Sequence, residues 1–154
     1  MANDGSKQGA PWPMPNMRFS VDIGTMQQNV AFQKIKGLHI KYDVMEYRGG
    51  NAIGTSTTKM PLGKTVSDIT LIRGMFAHDS MLWNWFDMVR FNTIKREQVV
   101  IKLLDEKNEV IFKWTLRNAF PKEIAFGELD AMAKSIAIEE LVVACEDISF
   151  SLGG

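Results

Sequence analysis

Residues 67–92, S-D-I-T-L-I-R-G-M-F-A-H-D-S-M-L-W-N-W-F-D-M-V-R-F-N, constrain the fold more than any other stretch. The first part alternates, Ile69 and Leu71 against Asp68 and Thr70, which predicts a strand. The second part reads as a helix over 79–91. Asp79 can accept from the free N–H groups of a first turn, and Asn92 suits a left-handed residue at the C-terminal end. At helical spacing Leu82, Trp85, Phe86 and Val89 form one stripe. Met81 and Met88 flank it on one side and Trp83 on the other, with Phe91 nearly opposite. Only Asn84, Asp87 and Arg90 remain as a polar strip. A helix apolar over most of its circumference needs cover on more than one side. A chain of 154 residues has few elements to provide it, so a neighbouring subunit is expected to cover part of Met81, Trp83, Met88 and Phe91.

That length implies one domain, and a chain of about 150 residues can bury roughly 70% of its unfolded surface without staples. Net charge is zero, but it is unevenly spread. Residues 1–77 hold nine Lys/Arg and five Asp/Glu, hence +4; residues 78–154 hold nine and thirteen, hence −4. Such a split suits a molecule that stacks on copies of itself, and nothing is basic enough to argue for specific nucleic-acid binding. The single cysteine, Cys145, cannot form an internal disulfide and sits in the apolar run E-E-L-V-V-A-C, which reads as a buried thiol. The N-terminal residues lack the apolar core of a signal peptide, and no run approaches the roughly 20 apolar residues of a membrane-spanning helix. Synthesis in the cytoplasm without a signal peptide is therefore expected.

Residues 1–16 are rich in Gly and Pro and read as a flexible or extended arm ahead of a domain at 17–154. Strands are expected at 18–23 and 29–35. The clearest is 38–47, where Leu38, Ile40, Tyr42 and Val44 alternate with His39, Lys41, Asp43 and Met45, one face buried and the other wet. Residues 48–58, R-G-G-N-A-I-G-T-S-T-T, form a polar, glycine-rich loop of a length that is usually functional or disordered. Residues 59–63 lead back to the central strand. A hairpin is expected from 98–104 and 109–116 around D-E-K-N. Asn118-Ala119-Phe120-Pro121 should break the pattern, 127–134 should form a loop, 135–145 the last long strand and 147–154 a short tail strand.

Reactive constellations are scarce. His39 and His78 are far apart and have no Cys or carboxylate at metal spacing. The loop 49–56 spaces two glycines as a phosphate-binding loop does, but Thr55 stands where that loop needs lysine, and no helix signal follows. Adjacent acids such as Glu139-Glu140 point to opposite faces of a strand and cannot share a substrate atom. No catalytic residue, metal site or cofactor is expected, and the chain reads as a non-enzyme.

Several segments together resemble the contractile tail tube protein family, the tube proteins of phage tails and of extracellular contractile injection systems. They are Phe19-x-Val21-x-Ile23, Gly37-Leu38, E-Y-R-G-G at 46–50, K-M-P-L-G at 59–63 and I-T-L-I-R-G at 69–74, followed by L-W-N-W at 82–85, Leu103-Leu104-Asp105, N-A-F-P at 118–121 and I-E-E-L at 138–141. The likeness runs from about residue 17 to the end. Phe120 stands where the family often has tryptophan, and Leu62 where it often has glycine, which leaves the subfamily open. The resemblance implies a mainly β fold, a small β-barrel or sandwich with one flanking α-helix, whose hexameric rings join inner strands into a continuous barrel and stack into a hollow tube. It implies sheath, baseplate and tube-terminating proteins as partners, a cargo effector or DNA in the lumen, and a target membrane met only by mechanical puncture. The particle would be released extracellularly or kept in the cytoplasm until firing.

On that basis Arg48, Gly49, Gly50, Asn51, Ile53, Thr55 and Lys59 are expected to contact the next ring, and His39, Lys41 and Asp43 to face the channel. Met81, Trp83, Met88 and Phe91 are expected at a subunit boundary. An injection-system tube is preferred to a phage tail tube that conducts DNA. A ring-forming protein of the type VI secretion class shares the fold, and a monomeric barrel for a small apolar ligand is the reading of another class.

Overall fold

A computed structural model describes residues 18–25, 27–50, 54, 57–88 and 96–153. In chain order the elements are β1 (Phe19–Ile23), β2 (Gln27–Val30), β3 (Lys34–Lys36), β4 (Ile40–Tyr47), β5 (Thr58–Val66), β6 (Ile69–Gly74), α1 (Met81–Asp87), β7 (Glu97–Leu104), β8 (Val110–Phe126), β9 (Ile138–Ala144) and β10 (Asp147–Leu152). The fold is mainly β with one helix, as the alternation and the single helical stripe imply.

The architecture is built on β8. Its first half pairs with β7 on one flank and β10 on the other, Val99 opposite Leu116 and Ile148 opposite Leu116. Its second half pairs with β9, Ile124 opposite Leu141. The strands follow the path β2-β1-β7-β8-β9-β6-β3, with β10 beside β8. The handover falls at Asn118, which takes a left-handed φ of 52°. Asn tolerates this conformation better than most residues, and its side-chain amide donates to Glu146 Oε2 at 2.8 Å while the Glu146 N–H donates to the Arg117 carbonyl at 3.0 Å. Strands that switch sheets at such irregular points form the corners of β-sandwiches and barrels. The expected break at 118–121 is therefore corrected: the strand runs through it. Pro121 is tolerated because the second half of β8 carries a partner strand on one flank only among the described residues, and a register shift follows at once.

The expected strand 29–35 is likewise corrected. It divides into β2 and β3, which pair with β1 and β6 at opposite ends of the path. Three residues join those ends, a reach of about 10 Å, and one of them, Phe32, is buried. The sheet thus curls until its ends nearly meet, but β2 and β3 do not pair, and the barrel stays open in the single chain. Asn29 (φ 53°) steers the turn-off. Its N–H donates to Asp22 Oδ1 at 2.7 Å, and Lys102 bridges Asp22 at 2.9 Å and Asn29 Oδ1 at 3.0 Å. The D-E-K-N turn forms as expected: Asp105 Oδ1 accepts from Lys107 and Glu109 N–H groups, and Asn108 takes φ 62°.

Inside the curl, Val21, Ile23, Leu71, Val99, Ile101, Leu116, Leu141, Val143 and Ile148 meet Leu82 and Trp85 of the helix in one cluster. The described helix is shorter than the expected 79–91, and residues 89–95 lie outside the described residues. Ser80 occupies the position before the first turn without a side-chain capping bond, and Asp79 accepts from the Met81 N–H at 3.2 Å instead. Trp85 is fully buried. Removing a large aromatic side chain from a closed core costs about 3–5 kcal/mol. Trp85→Ala should therefore lower the free energy of unfolding by that amount in a denaturant titration, whereas a truncation at exposed Leu62 should leave it unchanged.

Candidate functional site

β4 and β5 stand apart from the curl as a two-stranded ribbon. Its base is tight. The Ser67 N–H donates to the His39 carbonyl at 3.1 Å, and His39 Nδ1 lies 3.3 Å from Ser67 Oγ. Gly37, at φ 95°, lets the backbone press against the Asp68 carbonyl, where a Cβ would overlap the oxygen. One turn further out, Lys64 Nζ reaches Asp147 Oδ1 at 2.6 Å and the Ile148 carbonyl at 3.1 Å, so a side chain tethers the ribbon to β10. Lys64 foremost, with Arg117 at 3.1 Å, holds the Asp147 carboxyl below its ordinary range.

Beyond this tether the ribbon is bare. Every residue of β4 is exposed, including Tyr42, Val44 and Tyr47, and so are Met60 and Leu62 of β5. The expectation that one face of 38–47 is buried is corrected for the described residues: the apolar face exists, but among them no other element covers it. The register, Tyr42 opposite Lys64 and Val44 opposite Pro61, sets Ile40, Tyr42, Val44 and Glu46 on one side. Lys41, Asp43, Met45 and Tyr47 take the other. His39, Lys41 and Asp43 are all exposed, as is every residue of β4, and Asp43 Oδ2 accepts from Thr65 Oγ1 at 3.3 Å. At the far end Arg48 and Lys59 are exposed, Lys59 lies 3.9 Å from Glu46, and Arg48 donates to the Gly54 carbonyl. Gly49 and Gly50 follow Arg48 in the described chain, whereas Asn51, Ile53 and Thr55 lie outside the described residues.

The helix contributes a second surface. Met81 and Met88 are half-buried against the chain's own core, whereas Trp83 is 42% exposed and leans on Phe86 at 5.8 Å between ring centres. Phe91 is outside the described residues. The helix is held by a buried ion pair invisible to periodicity. Arg73 on β6 and Glu139 on β9 are cross-strand partners, Nε to Oε1 at 2.6 Å, each side chain 5% exposed. The same guanidinium reaches Asp79 Oδ1 at 3.2 Å, ahead of the first helical turn. The Asp79 carboxyl lies below its ordinary range because it accepts the Met81 N–H, with Arg73 adding to the effect.

Sequence reasoning passed over a third region. The loop between β8 and β9 exposes Leu129, Met132 and Ile136, and Met75 and Phe76 are exposed close by, the Met75 N–H donating to the Ala137 carbonyl at 2.9 Å. Three apolar side chains in a segment with no strand or helix pattern were the available signal. Reactive chemistry is thin: among the described residues no cluster of His, Cys, Asp and Glu could hold a metal. Cys145 is half-buried, and burial pushes its thiol up to about 11.

The chain fits the family model of the T4-like virus tail tube protein gp19 over residues 15–149. It is similar to a chain in an extracellular contractile injection system, the PVC sheath-tube complex in the extended state. The two are 28% identical over 92% of this chain and 93% of that one, with a TM-score of 0.83. It is also similar to a chain of the anti-feeding prophage cap, the AFP tube terminating cap, 27% identical over 99% of both chains with a TM-score of 0.84. Hcp1 from Flavobacterium johnsoniae shares the fold at 14% identity, 88% of this chain and 95% of that one, with a TM-score of 0.51. No curated protein matches the chain.

Two outcomes follow from the ion pairs. Arg73→Met should cost about 3–5 kcal/mol, because it strands a buried carboxylate. Adding Glu139→Leu should restore most of the loss in the same denaturation assay. Asp147 is lowered on folding, so its contribution is present above its unfolded value and is lost as pH falls through the lower folded value. Acidification through that window should lower the amide protection factors in β5, intrinsic rates being corrected for pH, and Asp147→Asn should remove that loss.

Proposed function

The chain belongs to the T4-like virus tail tube protein family, and on that premise we propose that it builds the inner tube of a phage-tail-like contractile injection system. Its role as a structural tube subunit comes with the family. The injection-system assignment rests on one observation: near-complete coverage at 27–28% identity by chains from PVC and AFP particles, against 14% for the Hcp protein. In this reading hexameric rings stack into a hollow tube inside a sheath, meet a baseplate at one end and a terminating protein at the other, and are driven through a target membrane with cargo in the lumen. On the same reading the protein is made in the cytoplasm and works in an assembled particle that is released extracellularly or kept in the cytoplasm until firing.

Each surface takes a part. The bare ribbon β4–β5 lines up with its counterparts around the ring, which would pair its free edges and cover the apolar side chains that one copy leaves wet. His39, Lys41 and Asp43 face the channel, where repeated fixed charge would hold or repel passing polymer. Arg48, Gly49, Gly50 and Lys59, with the intervening loop, meet the next ring. Trp83 lies at the boundary between neighbours in a ring.

Native mass and negative-stain images of the purified chain test the reading: rings and tubes are expected, and a persistent 17.4 kDa monomer would refute it. In a Cys145→Ser background, a cysteine at Lys41 should resist a bulky maleimide in end-blocked tubes and react in dispersed subunits. Ready labelling from outside closed tubes would remove Lys41 from the channel.

A further inference from the structure

A chain that stacks needs two different surfaces, one for each neighbour along the axis. The fold separates two such surfaces. The ribbon β4–β5 leaves the body at the Ile69 end of β6, where Gly37 and Ser67 form its base. It is tethered by Lys64 to Asp147, which lies past the Ala144 end of β9. At the other end of β6 the chain turns into Met75 and Phe76, beside the loop that opens from Gly127 and closes at Ile138. Ile69 pairs with Val143 and Gly74 with Ile138, so the whole β6–β9 pair, about 17 Å long, lies between ribbon base and loop.

The loop 127–137 is not a slack connection. Gly127 N–H donates to the Ile138 carbonyl at 2.9 Å, Asp130 Oδ1 accepts from the Met132 N–H at 2.9 Å, and Ala133 N–H reaches the Asp130 carbonyl at 3.2 Å. These bonds satisfy the polar backbone while the apolar side chains stand outward, Leu129 at 80%, Met132 at 89% and Ile136 at 69% exposed. Met75 is joined to the end of the loop by its bond to the Ala137 carbonyl, and Gly74 lies against Ile136, so that with Phe76 five exposed apolar side chains gather at this end of the strand pair, as at a contact site. Methionine adapts to an irregular partner. Exposed Glu128 and Asp130 border it, against one exposed cation, Lys134, leaving it net acidic.

We propose that this surface receives the far end of the β4–β5 ribbon of the copy stacked on it; the proposal rests on the tube reading and names the contact that propagates it. The ribbon matches in chemistry. It offers exposed Tyr47, Met60 and Leu62 together with Arg48, Lys59 and Glu46, apolar and net cationic where the receiving surface is apolar and net acidic. It matches in polarity, since the ribbon leaves the body at one end of the β6–β9 pair and the receiver closes the other. The contact repeats along an axis without closing, which yields an open stack.

Met132→Lys with Ile136→Lys tests it, because both side chains are exposed and their replacement spares the core. The variant is expected to keep the wild-type unfolding midpoint and to form rings, with tube length in negative stain reduced at least tenfold. Tubes of normal length would overturn the proposal, including the case in which they lose only their coat of sheath subunits. Folded chains that fail to form rings would overturn it as well, assigning the surface to the lateral boundary. Absence of rings and tubes in the wild type would instead strike the tube reading itself. As an independent check, Tyr47→Cys and Met132→Cys in a Cys145→Ser background should give, on oxidation of tubes, disulfide-linked ladders longer than one ring can supply. Intact tubes without such ladders would refute the contact.

Discussion

Backbone hydrogen bonding along β8 is the constraint on which the rest of the structure depends. A strand of 17 residues holds β7, β10 and β9 by its edges. No other described strand touches three neighbours. The two halves of the curl are therefore not two sheets brought together by apolar attraction alone; they are one ladder that changes partners at Asn118. Burial then follows geometry. Once the ladder turns, the inward faces of β1, β6, β7, β9 and β10 confront each other, and Leu82 and Trp85 fill the space that remains.

The same economy leaves the ribbon β4–β5 unsupported. An isolated two-stranded hairpin is marginal in water, and this one exposes both faces past Lys64. Its order within one copy rests on Gly37, the His39–Ser67 bonds and the Lys64–Asp147 tether, all within the first turn of its base. Stability is thus graded along the chain, highest around Trp85 and lowest toward Arg48. An assembly protein benefits from such grading, because the least stable segment gains most from a partner.

Much of this was legible in the residues. Alternation at Val99, Ile101 and Leu116 gave the β7–β8 hairpin, D-E-K-N its turn, and the stripe of Leu82, Trp85 and Phe86 the one helix. What failed did so for physical reasons. Asn118 and Pro121 are breakers by local propensity, yet a left-handed Asn with a Glu146 partner and a proline flanked on one side both suit a strand at a corner. Residues 29–35 look continuous because nothing local reveals that their two ends pair with strands far apart in sequence. The ribbon was read as half-buried because alternation reports that a face is to be covered, not by which chain. Arg73 and Glu139 carry no periodic signal, since a buried ion pair is defined only once two strands align. Leu129, Met132 and Ile136 escaped because apolar residues outside a period have no template to match.

The lone thiol gains significance from repetition. Cys145 sits beside the corner, half-buried, and its pKa of about 11 leaves roughly one thiolate in ten thousand at neutral pH. In a polymer of identical copies, one reactive cysteine per chain would become a dense lattice of nucleophiles. Oxidants would weld neighbours at random or cap the sulfurs one by one. Withholding the thiolate lowers the reactivity of every copy at once, so repetition multiplies a weak nucleophile and not a strong one.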